Sequence, residues 1–204
     1  MLIKRCFLFL FLCIALTGVY SDTFTFRADR MSGSRESGKK ITILMGNAEV
    51  HSDNILLRAA RIEIQGDNNE FIECSGEVWG REEEKDIVFQ TDRLHYDRQL
   101  KIARLDGNST LEDRQNNIVA KGRFIEYKDQ SEETVIQIGV RLFKDKMVCR
   151  AEYATYRRIE KLLDLSGFPA VFKEEDEFHA DRIRVDLDTD DVTMDGGIFG
   201  TLKG

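Results

Sequence analysis

The side chains of this chain with chemistry to offer are three histidines, four cysteines and a scatter of acidic pairs. His51, His95 and His179 stand far apart with no HxxxH spacing, and Cys6, Cys13, Cys74 and Cys149 form no CxxC, so no metal site is expected. No serine sits in a GxSxG, no spacing suggests a Cys–His pair, and no glycine-rich phosphate loop occurs. Asp190-Asp191 fall in a turn-like stretch, where acidic residues need no catalytic role. Asn108-Ser-Thr110 fits a glycosylation sequon, a match short enough to arise by chance. We expect no enzyme, no cofactor and no metal.

The elements that would carry a binding function are more informative. The 204 residues suit one domain, and 42% of them are apolar, enough for a core. There is a single proline, Pro169, which favours continuous backbone ladders, and 15 glycines, which favour turns. The net charge of −7 argues against nucleic acid as a partner.

At the N-terminus Lys4-Arg5 precede an apolar run from Cys6 to Leu16, then Thr17-Gly18-Val19-Tyr20-Ser21. This is the order of a secretory signal peptide, cleaved before Asp22, and the run is short for a membrane span. Residues 1–21 are therefore expected to be a leader and 22–204 a single exported domain of net charge −9. An uncleaved, anchoring N-terminus is the alternative.

A repeat organises the rest. Phe26-Arg-Ala-Asp-Arg-Met31 is echoed by Leu57–Ile62, Phe89–Leu94, Val119–Phe124, Val148–Tyr153 and Phe178–Ile183. The fifth position holds Arg30, Arg61, Arg93, Arg123, Glu152 and Arg182, and each is followed by a glycine: Gly46, Gly76, Gly107, Gly139, Gly167, Gly196. Within the copies apolar residues alternate with period two, the strand period. The two apolar columns lie five positions apart, an odd number, so each strand must change face at a bulge or corner at the Ala-Asp-Arg step. Tyr153–Leu165 imitates a helix, but its register with the other copies favours a strand pair. The expected architecture is an all-β stack of six units of about thirty residues sharing one interior. Each column arginine either meets a phosphate or pairs with its neighbour (Asp29, Asp92 or Asp181) in a solvated ladder, the reading we favour. Arg81–Asp86 and Lys173–Glu177 are expected to be solvated loop tips.

Met45-Gly-Asn-Ala-Glu-Val50 followed by Ile55-Leu-Leu-Arg-Ala-Ala-Arg-Ile-Glu-Ile64 resembles the OstA/LptA family of periplasmic lipopolysaccharide-transport proteins, and Phe178-His-Ala-Asp-Arg-Ile-Arg-Val185 repeats the hallmark. Ala60, Gly122 and Ala151 replace the motif aspartate, and Glu126, Gln137 and Arg141 interrupt the columns of the fourth copy. The resemblance implies a V-shaped β-jelly roll with an apolar slot between two sheets. It implies a periplasmic bridge that shelters the acyl chains of lipopolysaccharide or a related glycolipid. It also implies docking with related jelly-roll domains of the inner- and outer-membrane complexes. Without it, the columns would read as a closed, dry solenoid core of a structural envelope protein.

The candidate lipid contacts are Leu44, Ile62, Ile64, Ile72 and Val78 in the first copies, Leu94, Leu105 and Phe124 in the middle, and Tyr153, Leu165, Ile183, Val185, Met194 and Ile198 towards the end. Head-to-tail self-association is expected through an N-terminal edge carrying Phe24 and Phe26 and a C-terminal edge carrying Ile198 and Phe199, both without proline. Cys74 is placed inward and Cys149 outward, beside inward Val148, so two unpaired thiols are expected even in an oxidising compartment.

Overall fold

The computed structural model describes residues 24–36, 40–52 and 54–203, and the expected leader, 1–21, lies outside them. Every regular element among the described residues is a strand, as the period-two alternation requires. Two short strands, β1 (Phe24–Arg27) and β2 (Arg30–Ser34), open the fold. Eight long ones follow: β3 (Ile41–Ser52), β4 (Ile55–Gln65), β5 (Phe71–Glu82), β6 (Ile87–Asp97), β7 (Ile102–Asp113), β8 (Ile118–Lys128), β9 (Glu133–Lys144) and β10 (Met147–Arg157). The chain closes with β11 (Leu162–Ser166), β12 (Ala170–Lys173), β13 (Asp176–His179), β14 (Arg182–Asp186), β15 (Val192–Asp195) and β16 (Phe199–Thr201). Successive long strands pair antiparallel, and the 16 strands form one continuous ladder that does not close on itself.

Each long strand breaks register once near its middle and so serves two sheets. In β3, Met45 pairs with Arg61 and Ala48 with Ala59, leaving Gly46-Asn47 as the corner. One sheet runs from β1 through alternate half-strands to β12, β13 and β16; the other runs from β2 to β11, β14 and β15. This is a jelly roll folded along a spine of corners, with the hairpin turns of both sheets forming the opposite rim.

The corner explains the Ala-Asp-Arg motif. Gly46 has φ 75° and Asn47 φ 44°, a left-handed step that glycine and asparagine adopt most readily. A Cβ on Gly46 would sit 2.4 Å from Asp29 Oδ2. Asp29 N–H donates to the Gly46 carbonyl at 2.9 Å, and Asn47 Nδ2 donates to the Asp29 carboxylate at 3.0 Å. Asp92 under Gly107 and Asp181 under Gly196 repeat the arrangement. These aspartates stitch corners and do not form a ladder with the adjacent arginines. Arg93 instead pairs across the sheet with Asp106 at 2.5 Å, and Arg61 pairs with Glu63.

Two copies of the repeat are shifted by one residue from the expected register. In the fourth, Ile118, Ala120, Ile125 and Tyr127 are buried, so Phe124 lies on the other face of its strand. In the fifth, Cys149, Ala151, Ala154 and Tyr156 are buried and Tyr153 is 42% exposed. Glu126, Gln137 and Arg141 therefore face outward and interrupt nothing. Glu152 takes the aspartate place, its Cβ 2.8 Å from a hypothetical Cβ on Gly167.

Candidate functional site: the interior slot and its rim

The inward halves of the alternation make one core cluster that runs through the whole stack. Of the candidate contacts, Leu44, Ile62, Ile64, Ile72 and Val78 are buried in it, as are Leu94, Leu105, Leu165, Ile183 and Val185. Met194 is partly buried against it. The structure removes three candidates from the interior. Phe124 and Tyr153 belong to the shifted copies, and Ile198 is 59% exposed at the corner between β15 and β16.

Between the two sheets lies a cavity of 350 Å³, near the lower end of the range usual for small-molecule pockets. Its apolar walls are Leu57, Phe89, Leu94, Leu105 and Leu111. Sequence reasoning placed Leu94 and Leu105 there. Leu57, Phe89 and Leu111 stood in its apolar columns without being named as contacts, and Tyr127 was missed because the expected register turned Phe124, and not Ile125 and Tyr127, inward. Phe89 shapes one wall: its Cζ lies 2.1 Å from where a Cβ on Gly80 would be, so the ring lies against bare backbone.

The rim of the cavity is polar, which the alternation did not foretell. At the N-terminal end Arg98 Nη2 donates to Ser52 Oγ at 3.1 Å and its guanidinium lies 4.3 Å from the Phe24 ring. In the middle, Lys85 reaches from the β5–β6 turn to Asp129 at 2.5 Å and Glu132 at 3.4 Å on the other sheet. Beside it Arg158, on the turn after β10, donates to Asp113 and Glu132 at 2.8 Å each and to Gln115 at 2.7 Å. Tyr156 adds its hydroxyl to Asp113 at 3.1 Å. Further on, Lys144 pairs with Asp190 at 3.1 Å. Arg81–Asp86 is thus only partly a solvated tip: Glu82 is buried and caps the turn through the N–H of Lys85 at 2.6 Å.

Burial works against the charge on Lys85 and Arg158, and the facing carboxylates more than offset it, so both titrate above their ordinary values. Burial, then the neighbouring carboxylates, pushes the Tyr127 and Tyr156 hydroxyls up. These rim groups stay in one charge state through the neutral range and act as fasteners between the sheets.

Cys74 and Cys149, the two cysteines among the described residues, are unpaired and buried. Cys149 points inward, contrary to expectation; what separates the thiols is their placement on β5 and β10, not opposite faces. Burial pushes the Cys149 thiol up to about 12, and Cys74 is raised further, so neither is a nucleophile near neutral pH. Among the described residues no group of histidine, cysteine and carboxylate side chains could hold a metal ion.

The described residues thus form an open-edged, all-β jelly roll that keeps an apolar cavity behind a polar rim. The family model for the LptA/(LptD N-terminal domain) LPS transport protein matches residues 26–133, more than half of the chain. The chain belongs to that family. No curated protein matches it in sequence. The crystal structure of LptH, the LptA homologous periplasmic component of the conserved lipopolysaccharide transport device from Pseudomonas aeruginosa, aligns over 90% of this chain and 97% of its own. The identity is 11% and the TM-score 0.27, a superposition too loose to carry any detail of the site.

Proposed function

We propose that the protein is a periplasmic bridge module of lipopolysaccharide transport that shelters acyl chains between its two sheets. The observation that carries this is the 350 Å³ cavity, walled by Leu57, Phe89, Leu94, Leu105 and Leu111. Burial of each methylene there contributes about 0.8 kcal/mol, so even a partly inserted chain is held appreciably. Lipopolysaccharide is the cargo the family suggests, and a related glycolipid would use the same walls. No catalytic step is needed, since the role is to hold and hand on.

The free strand edges support an in-line assembly with related jelly rolls. At one end β1 and β2 present unpaired backbone, with Phe26 and Met31 exposed beside inward-facing Val50 and Leu44. At the other end the edge strands are β15 on one sheet and β16 on the other, not the single C-terminal edge expected around Ile198 and Phe199. Such edges template another strand. Photo-crosslinking side chains placed at Leu94 and Leu105 should capture lipid in cells, while the same probes at outward Glu63 and Arg184 should not. Labelling confined to the outward positions would remove the slot reading.

A further inference from the structure

The outer face of the β1 sheet carries a feature that the slot does not use. Lys121, Arg141 and Arg150 occupy directly opposed positions on β8, β9 and β10, Lys121 against Arg141 and Arg141 against Arg150. All three are exposed. Like charges facing one another across a ladder destabilise it, and an outward face can avoid this by alternating sign, as Glu49 does against Arg27 and Arg58. Here no alternation occurs. None of the three cations has an ion-pair partner among the described residues, and the row continues into uncharged Thr110 and Gln90. The next row is apolar: Val119 opposes Phe143, Phe143 opposes Val148, and Val148 opposes Phe172, all half-buried. Lys121 lies 5.7 Å from the Phe143 ring and Arg150 4.9 Å from the Phe172 ring. Glu112 and Glu177 bound this apolar row at its two ends, and each already has a cationic or imidazole partner, Arg114 or His179.

A concentrated positive row on a chain of net charge −7 is conspicuous. Adjacent strands lie about 4.8 Å apart, so the three charges form a short, flat line and not a groove. Nucleic acid is a poor fit, because three charges in a short, flat line cannot track a phosphate backbone. Charge with aromatic surface alongside, on an open sheet face, suits an interface where phosphate headgroups overlie hydrocarbon. We propose that this face docks the protein onto an anionic phospholipid bilayer, the three cations meeting headgroup phosphates and the phenylalanine row resting at the headgroup boundary. The docking needs neither an occupied slot nor a strand-edge partner.

Co-sedimentation tests it with the exported protein and vesicles of phosphatidylglycerol mixed with phosphatidylcholine, against vesicles of phosphatidylcholine alone. The protein should sediment with the anionic vesicles only, and raised salt should release it. Losing each cation should weaken binding roughly fivefold, so the triple variant K121Q/R141Q/R150Q should bind roughly a hundredfold less tightly. The substituted side chains are exposed, and an unchanged circular dichroism spectrum will show that the fold persists. Phe143→Ser should weaken binding without altering its salt dependence. Equal binding by wild type and triple variant, binding to both vesicle types alike, or no binding to anionic vesicles would overturn the proposal. A triple variant that keeps its vesicle binding but loses an acidic protein partner would overturn it too, in favour of a protein interface.

Discussion

Arg158→Met is the perturbation that most sharply tests how the rim holds the two sheets together. The Asp113 side chain is 1% exposed and Arg158 itself 12%, so their pair is largely shielded from water. Removing one partner of a buried pair costs about 3–5 kcal/mol, because the remaining charge is left uncompensated. Asp113 would keep three neutral donors, namely the Tyr156 hydroxyl, Asn116 N–H at 3.2 Å and Asn116 Nδ2 at 2.8 Å. That places the expected cost at the lower end, about 3 kcal/mol. For a domain of this size it corresponds to a fall in Tm of roughly 6–12 °C. Urea denaturation followed by circular dichroism gives the quantity directly as a change in midpoint at constant slope. Adding Asp113→Asn to Arg158→Met should recover part of the loss, since it removes the stranded charge, and the two substitutions should be clearly non-additive. A loss below about 1 kcal/mol for Arg158→Met, or simple additivity in the double variant, would refute the view that this cluster fastens the sheets.

Asp164 sits between Arg157 and Arg184; burial alone would raise its pKa, but the two guanidiniums hold it below the ordinary carboxylate range. Its contribution is therefore present above the unfolded carboxyl pKa and fades as pH falls through the lower folded value. Asp164→Asn should cost about 1 kcal/mol at neutral pH, and the gap from wild type should close below about pH 4 in denaturation curves taken across pH. Gly80→Ala should displace the Phe89 ring into the cavity at a cost of about 1–3 kcal/mol. Cis-parinaric acid, whose fluorescence reports entry into an apolar site, should bind the variant more weakly; equal binding would mean the ring does not border the ligand. Cys74 and Cys149 should resist iodoacetamide in the native protein at neutral pH and react once it is unfolded, as mass spectrometry of the intact chain would show.

Much of the fold could be seen in the alternation, because strand period and corner chemistry are local. The six glycines of the repeat all take positive φ, and the odd spacing between columns correctly demanded a corner. Aligning copies on side-chain identity failed where identity and backbone role parted. Arg123 resembles the arginine of the other copies but falls on the aspartate place, and Glu152 performs the aspartate's role one residue from where the alignment set it. Register is fixed by which residues reach the interior, so Phe124 and Tyr153 were assigned to the wrong face by a single step. The rim could not be seen at all. Arg158 meets Asp113 across 45 positions and Lys85 meets Asp129 across 44, and charged residues in turn-rich segments carry no local sign of such partners.

The measurement that bears most directly on the central proposal is extraction of native lipid from the protein purified from the periplasm, with organic solvent and mass spectrometry of the extract. A glycolipid bearing acyl chains should be recovered in near-stoichiometric amount from wild type, and much less of it after Leu105→Glu in a variant whose circular dichroism is unchanged. Wild type that yields no lipid while binding its jelly-roll partners end to end would contradict the slot and leave a closed structural solenoid in its place.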